Sequence, residues 1–207
     1  MKRLYVVMLL LGFSAASFAQ DPAAKKVLDN VSAKMKSFKG VTANFTYTTK
    51  NKKNVKQGSV AGQISLKGQK YYIKQGKNLI ISDGRKTWNY NGENEVTVGD
   101  VENDAKTLTP QKLLSDFYDK DFTYKLVSSA GAYNEIQMMP TDKRKNFKQV
   151  NVFVDKAKGL ITKAKIIDKS DNTIEFALTN VNTAVNLPDS KFNFDVKKYP
   201  KVEVIEQ

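Results

Sequence analysis

The sequence predicts a mainly β protein, an antiparallel meander with a few helices set against it. Three observations carry this. The apolar period changes from 3.6 to 2 after Gly40. From there to the end, about eleven or twelve short alternating segments follow at regular spacing. Turn signals such as Ser82-Asp83-Gly84, Asn91-Gly92 and Lys156-Ala157-Lys158-Gly159 separate them, and no repeat, linker or low-complexity tract divides the chain.

The N-terminus comes first. Lys2 and Arg3 precede an apolar run over residues 4–13, and the run is followed by SAASFAQ. A charged start, an apolar stretch too short to span a bilayer, and small residues at Ser17 and Ala19 predict a signal peptide over residues 1–19, cleaved after Ala19. No cysteine follows the site, so no lipobox anchor is expected. Residues 20–207 then form a single exported domain, 188 of the 207 residues, enough to enclose one core. Losing Lys2 and Arg3 takes the formal charge from +13 to +11. The chain has no cysteine and no histidine, which removes disulfides, thiol chemistry, Ser-His hydrolysis and the commonest metal ligand. The expectation is a protein with no cofactor and no catalytic step.

Asp21-Pro22 reads as a helix N-cap followed by proline at the first helical position. Val27, Leu28, Val31, Met35 and Phe38 then recur at helical spacing, with Lys25, Lys26, Lys34 and Lys36 on other faces, up to Gly40. The stripe is expected to cover a sheet. In the next segment Val41, Ala43, Phe45 and Tyr47 alternate with Thr42, Asn44, Thr46 and Thr48. Val60, Gly62, Ile64 and Leu66 alternate with Ala61, Gln63, Ser65 and Lys67. QKYYIKQ and NLIIS follow as further strands. In SDGRKTWNYNGENEVTV, Trp88 and Tyr90 are answered by Val96 and Val98, an apolar ribbon face behind which Thr87, Asn89, Glu95 and Thr97 point the other way.

One interruption, TLTPQKLLSDFYD, predicts a second short helix with Thr109 as cap, Pro110 opening it and Leu113, Leu114 and Phe117 as its apolar stripe. DFTYKLVS, AYNEIQMM, FKQVNVFVD, GLITKAKIID, NTIEFALTNV, KFNFDV and KVEVIE complete the set of predicted strands.

Alternation of this kind gives one covered face and one wet face. Two or three inward groups per strand amount to roughly 25 to 30 side chains, more than two or three helices blanket. The sheet must close into a barrel, fold into a sandwich, or curl into a partial barrel with helices over its mouth. The inward set is rich in aromatics: Phe45, Tyr71 or Tyr72, Trp88, Tyr90, Phe122, Tyr124, Phe153, Phe176, Phe192 and Phe194. Periodicity does not choose among the three closures.

The ordered set of segments resembles the periplasmic lipoprotein carriers of the Lol system, the LolA family. The matching stretches are Ser82, Asp83, Gly84, Trp88 and Tyr90 with Val96 and Val98 beyond, the first helix running into MKSFKGVTANFTY, the strand from Gly62, the TPQKLL helix, and the C-terminal Phe192, Phe194, Pro200, Val202, Val204 and Ile205. The resemblance implies an incomplete eleven-stranded β-barrel with a lid of helices over an apolar cavity. Phe45, Tyr47, Ile64, Leu66, Tyr72, Trp88, Tyr90, Val96 and Val98 would line the cavity, and Val27, Leu28, Val31, Met35, Leu113, Leu114 and Phe117 would form the lid. It implies a monomer in the periplasm that takes acylated lipoproteins from an inner-membrane ABC-type release complex and passes them to an outer-membrane receptor or acceptor membrane. A binder of another lipid or glycolipid, or of anionic headgroups through a basic face, is the alternative.

One position departs from the family. Where members carry an arginine before a proline that latches the lid, this chain has Gly68 and Gln69, with Lys67 and Lys70 beside them. An ammonium lacks the planar fork of a guanidinium. Asp83-Gly84 reads as a turn, and the pairs Asp119 with Asp121 and Asp100 with Asp104 read as loop charges, not metal ligands. The basic runs at 50–56, 142–148 and 196–201 each read first as a solvated face; as partner surfaces they suit anionic headgroups or an acidic patch on a transporter or receptor, and not nucleic acid in an exported chain.

Overall fold

The computed structural model describes residues 21–101 and 118–207. The expected signal peptide and the stripe Leu113, Leu114 and Phe117 lie outside them; Tyr118–Asp121 forms one short helical turn.

Helix α1 (Pro22–Ser37) starts where predicted, because Asp21 accepts the Ala23 amide at 2.8 Å and proline opens the first turn. It buries Ala24, Leu28 and Val31, so the apolar stripe faces inward as its spacing requires. At Phe38 the backbone turns extended and the chain enters the sheet.

Twelve strands follow: β1 (Val41–Lys50), β2 (Lys56–Lys67), β3 (Lys70–Gln75), β4 (Asn78–Ser82), β5 (Lys86–Tyr90), β6 (Glu95–Asp100), β7 (Phe122–Ser128), β8 (Tyr133–Pro140), β9 (Phe147–Asp155), β10 (Leu160–Asp168), β11 (Thr173–Asn182) and β12 (Glu203–Glu206). They make one sheet in the order β12-β6-β5-β4-β3-β2-β1-β11-β10-β9-β8-β7. β7 and β12 are its two edges, so it curls without closing. Eleven strands pair antiparallel; β12 adds to β6 in parallel and brings the described count to twelve, not the eleven the resemblance implies. The chain reaches that edge by a long crossover, residues 183–202, which run from β11 beside β1 to β12 beside β6.

That crossover holds a second difference. KFNFDV is not a strand: Asp189–Phe192 and Val196–Lys198 are 3-10 turns, and the segment runs as a strap with Phe192 and Phe194 buried. Its alternation looks strand-like because every second residue faces the protein, but it is not laddered to a neighbour.

The edge strand β7 is protected. The Asp21 amide donates to the Tyr124 carbonyl at 3.4 Å, and the Leu126 amide donates to Asp21 Oδ2 at 2.8 Å. Residue 21 thereby occupies backbone groups that an unprotected edge would offer to another chain.

Strand register divides the core in two. Opposed residues of paired strands share a face, and the chain Val41, Leu66, Tyr71 and Ala43, Ile64, Ile73 runs along one of them. This inner face continues through Phe45, Phe176, Ala164, Val152 and Ile136, and α1 lies on it. The opposite face carries a separate cluster on β4 to β6: Leu79, Ile81, Tyr90, Val96 and Val98, with Tyr72 and Trp88 packed against it and Phe194 and Tyr199 of the strap closing it.

Candidate functional site

The inner face is built around Phe45. Its ring stacks on Phe176 of the neighbouring strand with centroids 6.2 Å apart, and it lies over Gly62, where a Cβ would fall 2.6 Å from Phe45 Cζ. A glycine in a strand weakens it unless something needs the space; here an aromatic ring does. Ile64 and Leu66 are buried beside it, and Tyr47, opposite both Val60 and Phe176, is half-buried.

Helix α1 crosses this face and is fastened by polar bonds along its length. Asp21 joins its N-terminus to β7. In the middle, Tyr118 Oη donates to Asp29 at 3.1 Å, and Asp29 also pairs with Lys25 at 2.9 Å. Near its C-terminus Lys34 donates to the Lys158 carbonyl in the β9–β10 turn. The Leu126 and Ala23 amides hold the Asp21 carboxyl below the usual carboxylate range, and the Lys25 ammonium does the same for Asp29. The apolar contacts of α1 come from a short stripe: Ala24, Leu28 and Val31 are buried, while Val27 and Met35 sit half-buried at its margin.

The nine residues expected to line one surface fall on two. Phe45, Tyr47, Ile64 and Leu66 share the inner face with α1. Tyr72, Trp88, Tyr90, Val96 and Val98 share the other, where Tyr90 packs 5.5 Å from Phe194 and 4.7 Å from Tyr199. The hairpin itself is as alternation requires, with Trp88 opposite Val98 and Tyr90 opposite Val96. What alternation misses is which side of the sheet the ribbon presents. In NLIIS both parities are apolar, and Leu79 and Ile81 pair with Tyr90 and Trp88 while Ile80 points to the inner side and stays exposed. In KYYIKQ, Tyr71 joins the inner cluster in place of Tyr72; the parity of Ile73 was the available signal.

Gly68 sits in the β2–β3 turn with φ +57°, a left-handed conformation that glycine adopts without penalty. The flanking lysines grip the strap and not the helix: Lys67 and Lys70 both donate to Asp189, at 2.9 and 3.0 Å, and Lys67 also donates to the Leu187 carbonyl at 2.8 Å. Lys67 and then Lys70 hold the Asp189 carboxyl below its ordinary range. Lys191 lies over the Tyr72 ring, 4.3 Å from its centroid. The strap is thus clamped where it rounds the end of β2 and β3. Asp83 is a turn residue, its carboxylate accepting the Arg85 and Lys86 amides at 2.8 Å each.

The family of outer membrane lipoprotein carrier protein LolA matches residues 36–195. Among curated proteins, an outer-membrane lipoprotein carrier protein of Shewanella pealeana is 28% identical over 202 residues, covering 95% of this chain and 93% of that one. Another, of Pasteurella multocida, is 30% identical over 158 residues and covers 74% of each. Among solved structures, an uncharacterized conserved protein of Thermus thermophilus superposes with a TM-score of 0.60 at 9% identity, over 89% of this chain and 99% of that one. At that identity the likeness concerns the fold.

Proposed function

Since the chain belongs to the LolA family of outer membrane lipoprotein carriers, we propose that it is a non-enzymatic periplasmic carrier whose domain, residues 20–207 after loss of a signal peptide, shields the acyl chains of lipoproteins between the inner and outer membranes. One observation carries the reading: an unclosed sheet keeps its apolar inner face under a helix held at several points by polar bonds.

The physical demand is severe. Each acyl methylene exposed to water costs about 0.8 kcal/mol, so a chain of roughly 15 carbons costs on the order of 10 kcal/mol. A carrier must offset most of this and still release its cargo, which favours an apolar face under a movable cover over a sealed pocket. In this proposal α1, through Val27, Leu28, Val31 and Met35, is the cover. Leu113, Leu114 and Phe117, expected in the same lid, lie outside the described residues. Phe45, Tyr47, Ile64 and Leu66 contact the acyl chains once α1 lifts. Polar anchors suit such a part, because water replaces a broken surface hydrogen bond at little net cost, whereas a broad apolar seal would resist opening. The cargo is received from an inner-membrane ABC-type release complex and handed to an outer-membrane receptor or acceptor membrane, the carrier acting as a monomer.

The test is release of a labelled acylated lipoprotein from spheroplasts by the purified protein in the presence of ATP. A one-to-one complex in the soluble fraction is expected, with Tyr47→Asp lowering its yield. Absence of any complex, with a folded protein and its cognate membrane, would show that lipoproteins are not the cargo.

A further inference from the structure

Three turns meet on one rim of the sheet. Lys50 at the end of β1 stands opposite Lys56 of β2 and Thr173 of β11, and Asp168 of β10 stands opposite Phe147 of β9. The Lys169 amide donates to the Asn146 carbonyl at 3.3 Å, joining the β10–β11 and β8–β9 turns directly. Residues 50–56, 142–148 and 168–171 hold nine basic and three acidic side chains. Four of the basic ones have partners: Lys50 with Glu175, Arg144 with Asp142, Lys148 with Asp171, and the buried Lys145 with Asp121. Lys52, Lys53, Lys56, Lys143 and Lys169 are exposed and form no ion pair with the described residues.

The projecting tip is ordered and partly apolar. Asn51 Oδ1 accepts the Lys53 and Val55 amides at 3.0 Å each, and Asn51 N–H closes the loop onto the Val55 carbonyl at 2.9 Å. Val55 is left 54% exposed between Lys53 and Lys56.

We infer that this rim docks onto the surface of an anionic phospholipid bilayer, with Val55 entering the headgroup layer and the unpaired lysines meeting lipid phosphates. The chemistry selects the partner. The exposed lysines are point charges on flexible stems, spread over three turns with no fixed partner geometry, an arrangement that can meet a plane of anionic headgroups. Phe147, the aromatic in these turns, is buried and offers no stacking platform for nucleic acid bases. Charge spread over three turns, with an apolar tip, matches the two-part binding of interfacial proteins. The inference rests on the rim alone and holds whatever the cargo.

The experiment is flotation of the purified protein with phosphatidylcholine vesicles, with and without roughly one third phosphatidylglycerol, at about 50 mM and about 500 mM salt. Binding is expected to the anionic vesicles at low salt, to be largely lost at high salt, and to fall at least about tenfold in Lys52→Glu/Lys53→Glu. Val55→Ser is expected to weaken binding a few-fold more at intermediate salt. The control Lys26→Glu/Lys39→Glu makes the same change in net charge on exposed residues away from the rim and should keep binding within about twofold. Equal loss in both pairs, wild-type binding by the hairpin pair, or no preference for anionic vesicles overturns the inference. So does retention on polyglutamate beads without vesicle binding, which would assign the rim to an acidic protein. Lipoprotein release from spheroplasts, measured on the same variants, reports on the carrier reading separately.

Discussion

The ring of Phe45 occupies the space in which Gly62, on the adjacent strand, would carry a side chain. A Cβ at Gly62 would lie 2.6 Å from Phe45 Cζ and 2.3 Å from the Lys74 carbonyl oxygen. The inner face therefore has a fixed aromatic floor, with Phe45 stacked on Phe176 and held down by the absence of a neighbour.

Gly62→Ala should force Phe45 out of this position or bend β2 away from β3. Overpacking of this kind costs about 1–3 kcal/mol. Urea unfolding followed by circular dichroism measures it, and a change of under about 0.5 kcal/mol would mean that the ring moves freely.

Asp21 serves α1 and β7 at once, so Asp21→Ala should lower Tm by roughly 2–4 °C at neutral pH. The Leu126 amide, followed by that of Ala23, depresses its folded pKa below the unfolded value of 3.8. A depressed carboxyl contributes stability that is fully present above 3.8 and lost as pH falls through the folded value. The Tm gap between wild type and variant should accordingly stay constant from neutral pH down to about 5 and narrow below 4. A gap that is unchanged at low pH would show that the carboxylate charge plays no part.

Trp88 is the single tryptophan of the chain, and it packs against the cluster closed by Phe194 and Tyr199. Phe194→Ala should shift its emission to the red and cost about 3–5 kcal/mol, the usual range for truncating a buried phenylalanine. Trp88 lies across the sheet from Phe45, so adding an acylated cargo should leave its emission nearly unchanged. A large shift on cargo addition would place acyl chains on the strap side instead.

Gly68→Arg puts a side chain on a residue with φ +57°. A non-glycine residue there costs about 1–2 kcal/mol, so the variant should be less stable than wild type by chemical denaturation. Equal stability would imply that the β2–β3 turn relaxes to another form.

Much of the chain is legible before folding. Asp21-Pro22 marks the start of α1, and the spacing of Leu28 and Val31 fixes which side of it is buried. Alternation locates the β1 and β2 ladders and pairs Trp88 with Val98 and Tyr90 with Val96. These are local relationships, set by the periods of the helix and the strand and by turn chemistry within a few residues.

Alternation names two parities but not the side of the sheet that each one meets, and NLIIS and KYYIKQ are apolar on both. That choice came from pairing across turns and from segments distant in sequence. The strap brings Phe194 and Tyr199 onto Tyr90, more than ninety residues away in the chain, and Lys67 and Lys70 onto Asp189. The basic runs at 50–56 and 142–148 become one rim because β1, β11, β10 and β9 are neighbours in the sheet. By itself the sequence determined α1 with its cap, the strands of the sheet and the pairing within hairpins, since these depend on neighbours along the chain, but not that KFNFDV runs as a strap without a ladder partner. The tertiary structure alone decided which apolar residues face α1, which the strap covers, and which charges stand together, because those depend on long-range register.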